Sequence, residues 1–171
     1  MLNFILPDNP SPQTLLLCKD LKAIMNGNDM NIKISEDCKK PFRFILLSGD
    51  EKIIFRIIEY KSTSELRRAS IKQNNRELVV SNFTSELGNI IVNWFIKIFP
   101  ITNNNTNEII SLTNSEDYIF LRVNRYKIES KENVILQDIG FHMTLRVERI
   151  KLGTQNMKIK FKEKHKILTE K

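Results

Sequence analysis

Little in this chain suits it to covalent or metal chemistry. Its two cysteines, Cys18 and Cys38, cannot build a disulfide framework, and without a C-x-x-C pair they do not make a zinc site. The two histidines, His142 and His165, stand far apart. A histidine on a strand is more often a hydrogen-bonding residue than a base or a ligand. No P-loop, G-x-G-x-x-G turn, G-x-S-x-G elbow, D-x-D or H-E-x-x-H is present, so the common nucleotide, hydrolase and metalloprotease signatures are excluded. Glu116-Asp117 reads as turn chemistry rather than a metal site. The expectation is no enzyme, no metal, no cofactor and no small-molecule substrate. Long apolar runs are lacking too, none reaching the ~20 residues of a membrane helix. The opening MLNFILPDNP is too short and lacks the charged start of a signal peptide. A soluble intracellular chain without a membrane partner is expected. Acid is also in deficit: 20 Asp and Glu face 27 Lys and Arg, a net charge of +7. That balance favours a polyanionic partner, nucleic acid first and an anionic membrane surface second.

Apolar residues are plentiful, at 41% of the chain, and they are spread along it. The 171 residues therefore suffice for one domain with a real core. Residues 2–6 (LNFIL) read as a short strand. Ser11 and Pro12 read as cap and first residue of a helix carrying Leu17, Cys18, Leu21, Ile24 and Met25 at helical spacing and ended by Gly27. A strand near Asn31–Ile34 precedes a hairpin, Phe42–Leu47 and Lys52–Ile58 around Ser48-Gly49-Asp50-Glu51. Residues 61–76 (KSTSELRRASIKQNNR) are polar, carry Arg67, Arg68, Lys72 and Arg76, and read as a linker or mobile loop. Arg67-Arg68-Ala69-Ser70-Ile71 also fits a basophilic kinase site, a match common by chance.

The stretch NFTSELG at 82–88 fits a glycosylation sequon, as does Asn104-Asn105-Thr106. Phe83, Leu87, Ile90, Ile91, Trp94, Phe95, Ile98 and Phe99, however, trace the cleanest 3.6-residue stripe in the chain. Asn82 or Thr84 is expected to cap that helix and Pro100 to close it, so the sequon reads as a helix start. A loop at Asn103–Asn107, a strand at Glu108–Leu112 and a turn at Asn114–Asp117 follow. Two long strands come next. Tyr118–Ile128 has Ile119, Leu121 and Val123 on one face. The other strand, starting after Gly140, has Met143, Leu145 and Val147 on one face and His142, Thr144, Arg146 and Glu148 on the other. The tail Lys158–Lys166 alternates lysines with apolar residues.

The second half resembles the Brix-domain family of ribosome biogenesis factors. Its NFTSELG at 82–88, IFP at 98–100, LTNSEDYIFLRVNRY at 112–126 and QDIGFHMTLRV at 137–147 follow the family's N-F-T/S-x-x-L-G, F-P, D-Y-I-x-x-R and G-P-R-F strand motifs. The opening, Asp8-Asn9-Pro10-Ser11 with Thr14-Leu15 and Leu21, fits the family more loosely. Lys151-Leu152-Gly153-Thr154 is similar to the stretch found in the member that belongs to the U3 small nucleolar ribonucleoprotein. The chain departs from the pattern at Gly140-Phe141-His142-Met143, where the family's arginine is absent. It departs again between Met30 and Phe42, too short for the helix and strand expected there. The resemblance implies an α/β fold of two halves with mixed sheets, akin to the anticodon-binding domain of class II tRNA synthetases. It would be one domain: a shortened N-terminal half at 1–60, the polar loop at 61–76, a C-terminal half at 77–154 and a basic strand or tail at 155–171.

The implied role is non-catalytic assembly in the nucleolus. The partners would be U3 small nucleolar RNA, small-subunit pre-rRNA and other U3 ribonucleoprotein proteins. Candidate RNA contacts are Arg122, Arg125, Lys127, Arg146, Arg149 and Lys151, with Tyr126 beside them and Lys158 and Lys160 in the tail. Tyr118 and Phe120 read either as stacking faces or as the second buried face of a covered sheet. The tail lysines read either as phosphate contacts or as protection of a sheet edge. Two other roles stand beside this one. One is a large-subunit factor of the same family. The other is a protein scaffold whose Phe42, Phe44 and Ile45 are uncovered for want of the missing helix.

Overall fold

Two successive β-α-β-β-β units build one continuous sheet. The computed structural model describes residues 2–25, 27, 30–66, 76–99 and 107–160. The first unit is β1 (Asn3–Ile5), α1 (Pro12–Ile24), β2 (Asn31–Asp37), β3 (Lys40–Ser48) and β4 (Glu51–Lys61). The second is β5 (Glu77–Ser81), α2 (Glu86–Ile98), β6 (Glu108–Ser115), β7 (Tyr118–Ile128) and β8 (Val134–Leu152), extended by β9 (Gln155–Lys158). The sheet order is β1-β2-β3-β4-β8-β7-β6-β5, with β9 on β8. In each unit the first two strands are parallel, joined across the intervening helix, and the rest are antiparallel. The units meet where β4 pairs antiparallel with β8. The α/β reading with two halves and a mixed sheet holds. The first half, short as it is, carries the same succession of elements as the second.

Both helices lie on one face. Asp20 of α1 accepts a 2.7 Å hydrogen bond from Tyr60 Oη of β4, whose ring packs 6.1 Å from Phe141 of β8. Phe95 of α2 packs 5.6 Å from Phe55 of β4, which in turn meets Phe44 of β3 at 6.0 Å. Alternation explains the rest: Ile32 and Ile34, Phe44 and Leu46, Ile53 and Phe55, Ile119, Leu121 and Val123, and Met143, Leu145 and Val147 all point under the helices and are buried. Phe44 is fully buried there, so it is not among uncovered residues as the scaffold reading supposed. No described helix is long and apolar enough to cross a membrane.

Local chemistry sets the helix starts. The Ser11 hydroxyl caps α1, accepting from Thr14 N at 3.3 Å, with Pro12 in the first turn. Glu36 of β2 joins this cap: its carboxylate accepts from Ser11 N and Ser11 Oγ, each at 2.7 Å. Hydrogen bonding by Thr14 and then Ser11 holds the Glu36 carboxyl below its ordinary range. A depressed acid stabilises the fold above its unfolded value of about 4.3, and that contribution is lost as pH falls through the folded value. Thermal midpoints of the wild type and Glu36→Gln should therefore differ at neutral pH and converge below pH ~4.

Several boundaries differ from expectation. The cap of α2 is Ser85, accepting from Gly88 N at 3.0 Å, not Asn82 or Thr84. Asn82 instead adopts φ 64° in the turn before it. α1 stops at Ile24, short of Gly27. β2 runs on to Asp37 and turns into β3 through Cys38 and Lys39, both at positive φ, which no glycine signals. β5 was not anticipated. β8 begins at Val134, so Gly140 lies inside it rather than before it. There β8 bulges against β7, and Val123 Cβ would stand 2.6 Å from a Cβ at Gly140. The final strand, β9, starts at Gln155 and ends at Lys158, where the tail strand was expected to begin. The Arg67–Ile71 kinase match, the 104–106 sequon, Pro100, the loop before Asn107, and the tail from 161 lie outside the described residues.

Gly27 fastens the two units on the helix face. Its N–H donates to Ile98 O at 2.9 Å, and a Cβ there would stand 2.1 Å from Lys97 O. Since the obstructing atoms are backbone, Gly27→Ala should cost about 3 kcal/mol in urea unfolding, at the upper end of ordinary overpacking.

Candidate nucleic-acid interface

The opposite face carries no helix among the described residues, and strand alternation sends a different set of side chains to it. Lys33, Ser35, Arg43, Ile45, Lys52, Ile54 and Arg56 come from the first unit. Phe120, Arg122, His142, Arg146, Arg149, Lys151 and Lys158 come from the second. Register then stacks like charges side by side. Arg43 is directly opposite Arg56, Arg56 opposite Arg146, Lys52 opposite Lys151, and Arg149 opposite Lys158. Like charges in direct cross-strand register destabilise a sheet. Among the described residues the main offset is Glu148, which a bulge in β8 brings to Arg43 at 2.6 Å.

Of the expected contacts, Arg146, Arg149, Lys151 and Lys158 come together here. Arg122 shares the face, but its Nη1 donates to Leu121 O at 2.9 Å and Met143 O at 3.0 Å. Burial lowers its pKa, partly opposed by Glu59 and Asp138. Arg125 is not brought to this face. It reaches under the helices, where Nη2 donates to the buried Glu108 at 2.7 Å. Tyr126 and Lys127 sit beyond the end of β6, where β7 and β8 continue as a two-stranded ribbon. Lys160 is exposed past the end of β9. His142, in place of the family's arginine, bonds Asp138 with Nε2 to Oδ2 at 2.5 Å.

The rings on this face are engaged by guanidinium groups. Arg122 lies 5.4 Å from the Phe120 centroid and Arg146 4.9 Å from that of Tyr118, while Arg43 and Arg56 lie 4.7 and 5.1 Å from that of Phe42. Sequence reading missed Lys33, Arg43, Lys52 and Arg56. Their signal was present: each alternates with a core residue, as in Lys52-Ile53 and Phe55-Arg56. Among the described residues no three His, Cys, Asp or Glu side chains are grouped to hold a metal.

The class of protein is thus an α/β module of two β-α-β-β-β units in one nine-stranded mixed sheet, with both helices on one face and a cationic set of side chains on the other. The Brix domain model matches residues 13–149, and the chain belongs to the Brix-domain family. It is 32% identical over 138 residues to Ribosome production factor 1 of Saccharomyces cerevisiae, covering 78% of this chain and 46% of the relative. It is 30% identical over 178 residues to Ribosome production factor 1 of Mus musculus, covering 88% and 51%. A shorter match of 31% over 77 residues, 45% of this chain and 26% of the relative, is to U3 small nucleolar ribonucleoprotein protein IMP4 of Bos taurus. The chain thus spans about half the length of the Ribosome production factor 1 relatives that it matches. A probable ribosomal biogenesis protein from Aeropyrum pernix K1 shares the fold, with TM-score 0.60 and 12% identity over 85% of this chain and 94% of that one.

Proposed function

We propose that this chain is a non-catalytic ribosome-assembly factor that acts in the nucleolus by holding pre-ribosomal RNA on its helix-free face. The observation that carries this reading is the set of four like-charged cross-strand pairs. A fold stabilised for its own sake would not align cations this way, whereas phosphates lying across the strands would offset each pair. Family membership supports the same role. Arg146, Arg149, Lys151 and Lys158, joined by Lys33, Arg43, Lys52 and Arg56, form the phosphate-binding set. The particle proposed first is the U3 small-subunit one, with U3 small nucleolar RNA, small-subunit pre-rRNA and U3 ribonucleoprotein proteins as partners, on the strength of the IMP4 match. The matches to Ribosome production factor 1, a name that specifies no subunit, extend over more of the chain than the IMP4 match, so the same role in the large-subunit precursor stands as a second reading. Crosslinking the protein in cells and sequencing the bound RNA tests both. Fragments of U3 and the small-subunit leader are expected. Large-subunit spacer fragments would move the role to the other particle, and a lack of any pre-ribosomal enrichment would overturn it.

A further inference from the structure

The cationic face has an apolar window in it. Lys33, Ile45, Ile54, Arg149 and Lys158 form one row across β2, β3, β4, β8 and β9, each opposite the next. Two half-buried isoleucines therefore sit between cations at both ends of their own row. Arg43 and Arg56 border them on one side and Lys52 on the other. The row floors a trough of ≈ 600 Å³, within the ~300–1,000 Å³ range of small-ligand sites. Ser35 lines the same trough, and its buried Oγ has no hydrogen-bond partner among the described residues. Buried hydroxyls are nearly always satisfied, so this one is open to a hydrogen-bonding group in the trough, a water or a ligand atom alike.

Phosphates have no use for an apolar floor. The apolar surface of a nucleic acid is the face of a base, exposed only where the base is unpaired. The aromatic rings that would ordinarily receive it are engaged by Arg43, Arg56, Arg122 and Arg146. We infer that the trough is a site for one unstacked nucleotide of a folded RNA, its base lying on Ile45 and Ile54, its edge reaching Ser35 Oγ, and its flanking phosphates on Lys33, Arg149 and Lys158. This rests on the RNA-binding reading above and makes the ligand RNA with an unpaired segment rather than continuous duplex.

The test compares two fluorescein-labelled RNAs of equal phosphate number, a hairpin with an unpaired loop and a blunt duplex, by anisotropy at matched salt. The loop-bearing RNA should bind roughly 10-fold more tightly, about what covering ~50–60 Å² of apolar surface on the two isoleucines and the base face warrants. The Ile45→Ser/Ile54→Ser variant should lose that preference while keeping the salt dependence, and Ser35→Ala should reduce it. A 2-aminopurine in the loop should change its fluorescence on binding to the wild type and not to the double variant. Equal affinity of the wild type for loop and duplex, or an unchanged preference in a folded double variant, would overturn the site. Should neither RNA bind in a salt-dependent manner, the RNA-binding reading itself fails, an outcome distinct from the other two. If the double variant does not fold, the wild-type comparison alone decides.

Discussion

Replacing Glu108 by Gln is expected to lower the stability of the protein by about 3–5 kcal/mol, the cost of breaking a buried ion pair from one side. Glu108 opens β6 with its side chain fully buried. Its carboxylate receives Arg76 Nε at 3.3 Å and Arg125 Nη2 at 2.7 Å. Arg76 is itself 3% exposed at its side chain and also donates Nη1 to Ala23 O of α1 at 3.1 Å. Burial pushes the Arg76 pKa down and Glu108 pushes it back up, so the carboxylate offsets the desolvation of this buried guanidinium. Neutralising Glu108 removes that compensation and loosens the seam of α1, the start of β5 and β6 together. With an m-value of about 2 kcal/mol/M in urea, the midpoint should fall by roughly 2 M. Arg125→Ala should cost less, since Arg125 is 22% exposed at its side chain. A loss below about 1 kcal/mol in Glu108→Gln would contradict the role given to the pair.

The second large effect concerns binding. In the Lys52→Ala/Arg149→Ala/Lys151→Ala variant, RNA affinity should fall on the order of 100-fold at about 0.1 M salt, and the slope of log affinity against log salt should flatten by about 2–3, three phosphate contacts' worth. Stability should not fall with it. The variant removes the Lys52–Lys151 and Arg149–Lys158 oppositions, so its urea midpoint should match or slightly exceed that of the wild type. Anisotropy across a salt series and urea unfolding read these two outcomes separately. A variant that binds as before, or with an unchanged slope, would remove the phosphate role from these residues.

What could be read from the sequence followed the range of the interactions involved. The α2 stripe from Leu87 to Phe99, the hairpin around Gly49 and the faces of β7 and β8 are local periodicities, and all are found in the structure. The cap moved to Ser85 because several residues in NFTSE are able to cap, and only packing chooses among them. Arg76 was misplaced for a different reason. Seen in sequence it ends a polar stretch, and its partner Glu108 lies 32 residues on, beyond any local pattern. Arg125 was assigned to RNA on the same grounds, although it faces the helices. The cationic face was half legible. Arg149 and Lys151 alternate visibly along one strand, but Arg146 joins their face only through the bulge at Glu148, and the register of all three with Lys52 and Arg56 depends on β4 meeting β8, a pairing distant in sequence that bulges in two places.

That meeting has a consequence for how the protein comes apart. His142, Met143, Thr144 and Leu145 of β8 have partners in β4 on one side and in β7 on the other. The two repeats therefore share one central plank instead of merely touching. Neither can open without stripping the other of a neighbour, so the molecule should melt as a single cooperative unit. Amide protons at these four positions should be among the last to exchange with deuterium, and the outlying β1 and β5 among the first.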